Sequence, residues 1–314
     1  MKTKKLFCAF AVVATAFAMA SCQSELVEEM IVDLNINVTA TTTPEFEATI
    51  EDNCGNKVST RTAVSSSPNS NGNYTLSWQA GDEISITDGY TSAIYATDNA
   101  GSNATFTRKS GNISCNASSF KAFYPSSLNP QNLELPLVQE YVPGNVKNFP
   151  MYAETCNKTL SFKNLCGIFR LCLKNETGST VKVKNVSVLA DGRGLAGSFS
   201  IDNTGAAVVC GNNGVTLLCG CPVELSACNG TDFNVILPKG DYCSLKLKIT
   251  TEDGKVINMK SNSTISIRRS GITKVCVSLK PTTFDGGLED ITFCESDVDF
   301  SKDKIIKVSL QYNI

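Results

Sequence analysis

Ile31-Val32-Asp33-Leu34-Asn35-Ile36-Asn37-Val38 alternates apolar and polar side chains from its second residue onward. Successive side chains of a β-strand point to opposite faces, so Val32, Leu34, Ile36 and Val38 share one face while the acid and the amides share the other. The same alternation recurs downstream at 74–78, 84–86, 92–96, 104–108 and 120–124. Further strands are expected at 160–165, 167–174, 181–190, which alternates again, 194–202, 206–210, 215–218, 232–237, 242–250, 255–260, 263–268 and 272–280, where Val275, Val277 and Leu279 share one face. Gly, Asn and Asp turns separate these runs, as in Ser65-Ser66-Ser67-Pro68-Asn69-Ser70-Asn71-Gly72-Asn73 and at Ala80-Gly81-Asp82-Glu83. Pro130, Pro136, Pro143 and Pro150 predict mostly extended loop over 129–151. The class is therefore all-β. Short strands at this spacing predict two antiparallel sandwiches in series, 31–157 and 158–281, followed by a tail, 282–314.

Upstream of the first strand the chain reads as an export signal. Lys2, Lys4 and Lys5 precede an apolar run from Leu6 to Met19, too short to span a bilayer. Ala20 and Ser21 are small, and Cys22 follows them. This spacing is that of a lipobox, with 1–21 removed and Cys22 carrying lipid as the first mature residue. The acidic, polar stretch 22–30 reads as a tether, and it resembles the surface-display signal of Bacteroidetes lipoproteins, a resemblance that implies an outer-membrane lipoprotein displayed at the cell surface.

Composition narrows the functions. The chain has 28 basic and 30 acidic residues. Losing the signal's three lysines leaves a mature net charge of about −5, which offers no basic footprint for nucleic acid. It has no histidine, so the commonest general base and metal ligand are missing. Adjacent acids such as Glu51-Asp52 and Glu289-Asp290 would point to opposite faces of a strand, not across a cleft. No catalytic set, metal site or cofactor is expected. Of fourteen cysteines, twelve remain after Cys8 and Cys22 are set aside. Their spacing matches no zinc or redox motif. Cys166 and Cys172 are expected opposite Phe169, Leu171 and Leu173, and Cys243 on the face of Leu245, Leu247 and Ile249, as small strand fillers with a few disulfides among them. Trp78, the single tryptophan, is expected in a core, and the Gly81-Asp82 turn to be structural.

The chain closes on Lys304-Ile305-Ile306-Lys307-Val308-Ser309-Leu310-Gln311-Tyr312-Asn313-Ile314. Ile306, Val308, Leu310, Tyr312 and Ile314 fall on one face, which makes an amphipathic strand that the second sandwich does not need.

Several stretches together resemble the fimbrillin family of Bacteroidetes pili. In the first half they are Thr60-Arg61-Thr62, Trp78-Gln79-Ala80-Gly81-Asp82-Glu83-Ile84 and Phe123-Tyr124-Pro125. In the second half they are Phe162-Lys163-Asn164, Gly167-Ile168-Phe169-Arg170-Leu171, Leu195-Ala196-Gly197-Ser198-Phe199, Leu237-Pro238-Lys239-Gly240-Asp241-Tyr242 and Ile265-Ser266-Ile267-Arg268-Arg269-Ser270-Gly271-Ile272. The resemblance covers about 30–280 and rests on their order, not on any single piece. It implies two transthyretin-like β-sandwiches and a C-terminal extension strand. It also implies cleavage after Arg61, leaving Thr62 as the new N-terminus, loss of the strand bearing Val32, Leu34, Ile36 and Val38, and donation of 304–314 to another subunit. The implied partners are further copies or related pilins, lipid through Cys22, and a host or bacterial surface receptor. The other reading from sequence is a surface lipoprotein that binds glycans or host proteins and never polymerises.

Overall fold

The structure is a computed structural model that describes residues 43–51, 63–64, 76–281, 288–294 and 304–309. Every regular element among them is a strand. The first are β1 (Phe46–Ile50), β2 (Ala63–Val64), β3 (Leu76–Ser77), β4 (Glu83–Thr87), β5 (Ser92–Ala96), β6 (Asn103–Gly111) and β7 (Phe120–Tyr124). Next come β8 (Glu134–Leu135), β9 (Val138–Glu140), β10 (Met151–Thr155), β11 (Thr159–Asn164) and β12 (Gly167–Asn175). β13 (Lys182–Ala190), β14 (Gly197–Ile201), β15 (Ala207–Val209), β16 (Gly214–Glu224), β17 (Thr231–Leu237) and β18 (Gly240–Tyr242) follow. The last are β19 (Leu245–Thr251), β20 (Val256–Ser261), β21 (Ile265–Ile267), β22 (Ile272–Leu279), β23 (Leu288–Cys294) and β24 (Lys304–Ser309).

Seven of these close a barrel in the order β1-β11-β10-β7-β4-β5-β6. Its interior is apolar because alternate residues of each strand point inward: Ile84 and Ile86 from β4, Tyr95 from β5, Phe106 from β6, Leu160 and Phe162 from β11 are all buried. The β4–β5 turn is fixed by the Asp88 carboxylate, which accepts the amides of Tyr90 (2.9 Å), Thr91 (2.7 Å) and Ser114 (2.7 Å). At the turn into β4, Gly81 takes φ +88°, open to glycine but strained for other residues. Asp82 there accepts the Gln79 amide and the Tyr124 hydroxyl, so this turn is a structural device.

The second core is built from a ten-stranded sheet ordered β17-β12-β22-β24-β23-β20-β19-β13-β16-β9. Its two arms bury their inner faces together. Phe169, Leu171, Phe233, Val235, Val275 and Val277 come from one arm, and Val186, Val188, Leu217, Leu247, Ile249 and Met259 from the other. In the ladder the arms are joined through the last two strands, and at the outer edges the Gln139 side chain of β9 donates to the Ile236 carbonyl and accepts the Ile236 amide of β17, both at 2.8 Å. β24 runs parallel to β22, β23 runs parallel to β20, and β23 and β24 pair antiparallel.

The expected all-β class holds, with two differences of detail. The ladders are not purely antiparallel: β1–β11, β12–β22, β16–β9, β20–β23 and β22–β24 are parallel. The ladders also cross the expected 157/158 boundary both ways, with β11 in the first barrel and β9 on the second sheet. Ile168, Phe199, Ala207 and Ile236 bury against the first core, so the two cores share a wall. Cys166 and Cys172 are buried as expected, but Cys243 is exposed. The chain bends at Cys243 and Ser244 before β19 begins, which takes this thiol out of the core-facing alternation.

Candidate strand-exchange groove

β1 is the one strand of the barrel contributed from upstream of Arg61, and it closes the barrel. It lies parallel to β11, with Ala48 opposite Leu160, and antiparallel to β6, with Ala48 opposite Ala104. Phe46, Ala48 and Ile50 are buried while Glu47 is exposed. The local reason is plain: Phe46-Glu47-Ala48-Thr49-Ile50 alternates at period two, so one face enters the core. Withdrawing β1 would leave the facing edges of β6 and β11 without partners, flanking an apolar slot.

Aromatic side chains line that slot. Phe46 meets the rings of Tyr95 and Phe120 edge-on, at 5.2 and 5.1 Å between centroids. Trp78 sits beneath the strand, fully buried, with edge contacts to Phe106, Tyr124 and Phe162. Its indole Nε1 donates to the Ala48 carbonyl oxygen at 3.1 Å. The ring therefore touches β6, β7 and β11 and hydrogen-bonds β1 itself. Burial pushes the Tyr95 phenol up to about 12, consistent with a dry interior under β1. Burying Phe46 and Ile50 contributes about 3–6 kcal/mol before ordering costs.

The end of β1 is held by a polar clasp. Glu51 Oε1 accepts the Asn164 amide at 2.9 Å, the Ser270 hydroxyl at 3.2 Å and Arg269 Nη1. Arg269 Nη1 also donates to the Asn164 carbonyl at 3.0 Å, and Asn164 Nδ2 donates to Ser270 Oγ at 3.0 Å. Ser270 adopts φ 60°, uncommon for a residue with a side chain, in the turn just before β22. The clasp thus joins the closing strand of the first barrel to a turn of the second core.

Few of the sites expected from sequence lie among the described residues. Cys22, the strand residues Val32, Leu34, Ile36 and Val38, and the cleavage pair Arg61 and Thr62 lie outside the described residues, as do Leu310, Tyr312 and Ile314 of the expected donor strand. Ile306 and Val308 lie in β24, whose backbone pairs with β22 of its own chain, Val275 opposite Ile306. Sequence reading passed over β1, although its alternation was present in Phe46-Glu47-Ala48-Thr49-Ile50. The described residues hold no cluster of three or more His, Cys, Asp or Glu able to bind a metal ion.

No family model matches the sequence, and no curated protein matches it. Solved structures similar to the chain include candidate cell adhesion proteins and fimbrial proteins from Bacteroides and Porphyromonas. A candidate cell adhesion protein from Bacteroides ovatus is 15% identical, with 75% of this chain and 91% of that one covered, at a TM-score of 0.48. A fimbrial protein from the same species is 11% identical over 79% of this chain and 50% of that one, at 0.34. The C-terminally truncated tip fimbrial protein Mfa3 from Porphyromonas gingivalis is 9% identical over 69% and 81%, at 0.24.

Proposed function

We propose that this chain is a structural subunit of a surface pilus, exported as a lipoprotein through Cys22 and assembled by strand exchange after cleavage at Arg61. The observation that carries the reading is β1: a buried, alternating strand that closes the barrel and lies upstream of the Thr60-Arg61-Thr62 motif. One cut would sever both the lipid and β1 from the rest of the chain. On this reading the strand to be displaced is β1, with 31–38 leaving alongside it, and the two cores are the tandem transthyretin-like sandwiches of the fimbrillin resemblance. A strand from another subunit, 304–314, would restore the ladders to β6 and β11 and place alternate apolar side chains in the slot. Donor and acceptor are different surfaces, so the contact is heterologous and propagates as a filament that supports adhesion.

A second reading has its own observation. β24 pairs with β22 and β23 within the same chain, as expected of a surface lipoprotein that binds glycans or proteins and does not polymerise. On the pilus reading this cis pairing is the state of the precursor, and β24 must leave it to act as donor.

Treatment of the purified chain lacking 1–21 with an Arg-specific protease separates the two. The pilus reading expects a ladder of heat-resistant high-mass species, lost when the chain is truncated before Lys304. Absence of a ladder, or the same ladder from the truncated chain, overturns it.

A further inference from the structure

We propose that Cys172 and Cys276 become joined by a disulfide when the protein meets a small disulfide oxidant. The two face each other across the parallel β12–β22 ladder. The register is unbroken on either side, with Leu171 opposite Val275 and Leu173 opposite Val277, so the pair sits within the ladder and not at a frayed end. Neighbouring strands lie about 5 Å apart, inside the roughly 4.4–6.8 Å between Cα atoms that a disulfide spans. Leu171, Leu173, Val275 and Val277 point into the second core, which places both sulfurs together on the opposite face of the sheet.

The surroundings suit a bond better than two separate thiols. Cys172 is only 6% exposed, while Cys276 is half-buried. A hydrogen bond shared with Cys276, together with burial, pushes the Cys172 thiol far up. Next to it, Gly230 takes φ +73°, and a Cβ there would lie 2.5 Å from the Cys172 sulfur. The glycine keeps the space beside that sulfur open. On the same face the Lys274 ammonium, paired with Asp232 at 3.3 Å, acts against the upward shift of Cys172.

The exposures set the order of events. The thiolate of Cys276, the more accessible of the two, attacks one sulfur of the oxidant. The other sulfur leaves as a thiolate, and a mixed disulfide forms on Cys276. Cys172 then loses its proton to water and attacks Cys276 Sγ, expelling the second sulfur of the oxidant. Two cysteines are oxidised by two electrons, one disulfide is reduced to two thiols, and both protons end on the released thiols. The bond would tie the opening strand of the second core to β22 and close a long loop, the arrangement in which a disulfide restrains the unfolded chain most. None of this depends on a pilus role. The export reading supplies only the compartment in which an oxidant is met.

The test uses the full mature chain, reduced and then incubated with oxidised glutathione, alkylated in denaturant at acid pH and digested with trypsin. The expected product is fragment 171–174 disulfide-linked to the fragment that begins at Val275, absent from C276S. Reduction should lower the unfolding midpoint by several degrees in the parent and by less in the C172S/C276S variant. Recovery of both residues as alkylated thiols, as glutathione adducts, or bonded to other cysteines would overturn the assignment.

Discussion

Phe46→Ala probes the closing strand most sharply. Phe46 is fully buried and makes edge-on contacts with Tyr95 at 5.2 Å and Phe120 at 5.1 Å. Truncating a buried Phe to Ala costs about 3–5 kcal/mol, a total that includes about 0.5–1.5 kcal/mol for each aromatic pair. Domains of ordinary size are stable by only about 5–15 kcal/mol, so this is a large share of the whole. The assay is urea unfolding followed through Trp78 emission. The midpoint should fall while the slope stays the same, which marks lost stability without a change in the surface exposed on unfolding. Glu47→Ala, on the exposed face of the same strand, should stay within about 0.5 kcal/mol of the parent. After Arg61 is cut and the upstream segment removed, parent and Phe46→Ala should unfold alike, since neither retains residue 46. A loss under about 1 kcal/mol in the intact chain would refute the reasoning, because β1 would then not be closing the barrel.

Two further outcomes follow from the clasp and from the β4–β5 turn. Glu51→Gln keeps the size of the side chain but removes the charge that Arg269 meets at a partly buried site, and should cost about 1–2 kcal/mol in the same unfolding titration; an unchanged midpoint would show that the clasp does not hold β1. At Asp88, burial alone would raise the carboxyl, but the amides of Ser114, Thr91 and Tyr90 outweigh it and hold the group down at about 2. A depressed carboxylate stabilises the fold above its unfolded value and loses that contribution as pH falls through the folded one, here between about pH 4 and about pH 2. Asp88→Asn should flatten this part of the pH–stability curve, as measured by thermal unfolding.

Much of the fold was legible because it depends on local alternation. Ile84 and Ile86, Tyr95, Phe106, and Phe169 with Leu171 and Leu173 all point where a period of two places them. Trp78, the single tryptophan, is buried in the core as expected. What was not legible is closure. β1 meets β11 across more than a hundred residues of chain, and nothing within Phe46-Glu47-Ala48-Thr49-Ile50 specifies that partner or the parallel sense of the pairing. The clasp was hidden for the same reason: Glu51 looked like half of an adjacent acid pair, and its role appears only when Asn164, Arg269 and Ser270 arrive from distant parts of the chain. Cys243 shows the opposite failure, where a clean sequence alternation was cut short by a bend.

The central claim is that β1 fills a strand site that another strand can take. Trp78 reports on it directly, because its indole donates to the Ala48 carbonyl and lies under the strand. The measurement is Trp78 emission after Arg-specific cleavage, with release of the fragment containing 46–50 followed by mass spectrometry. The account predicts that emission moves to the red as that fragment leaves and returns to the blue when a peptide of sequence 304–314 is added. Emission that stays blue after the fragment has left, or stays red with the peptide in excess, would contradict it.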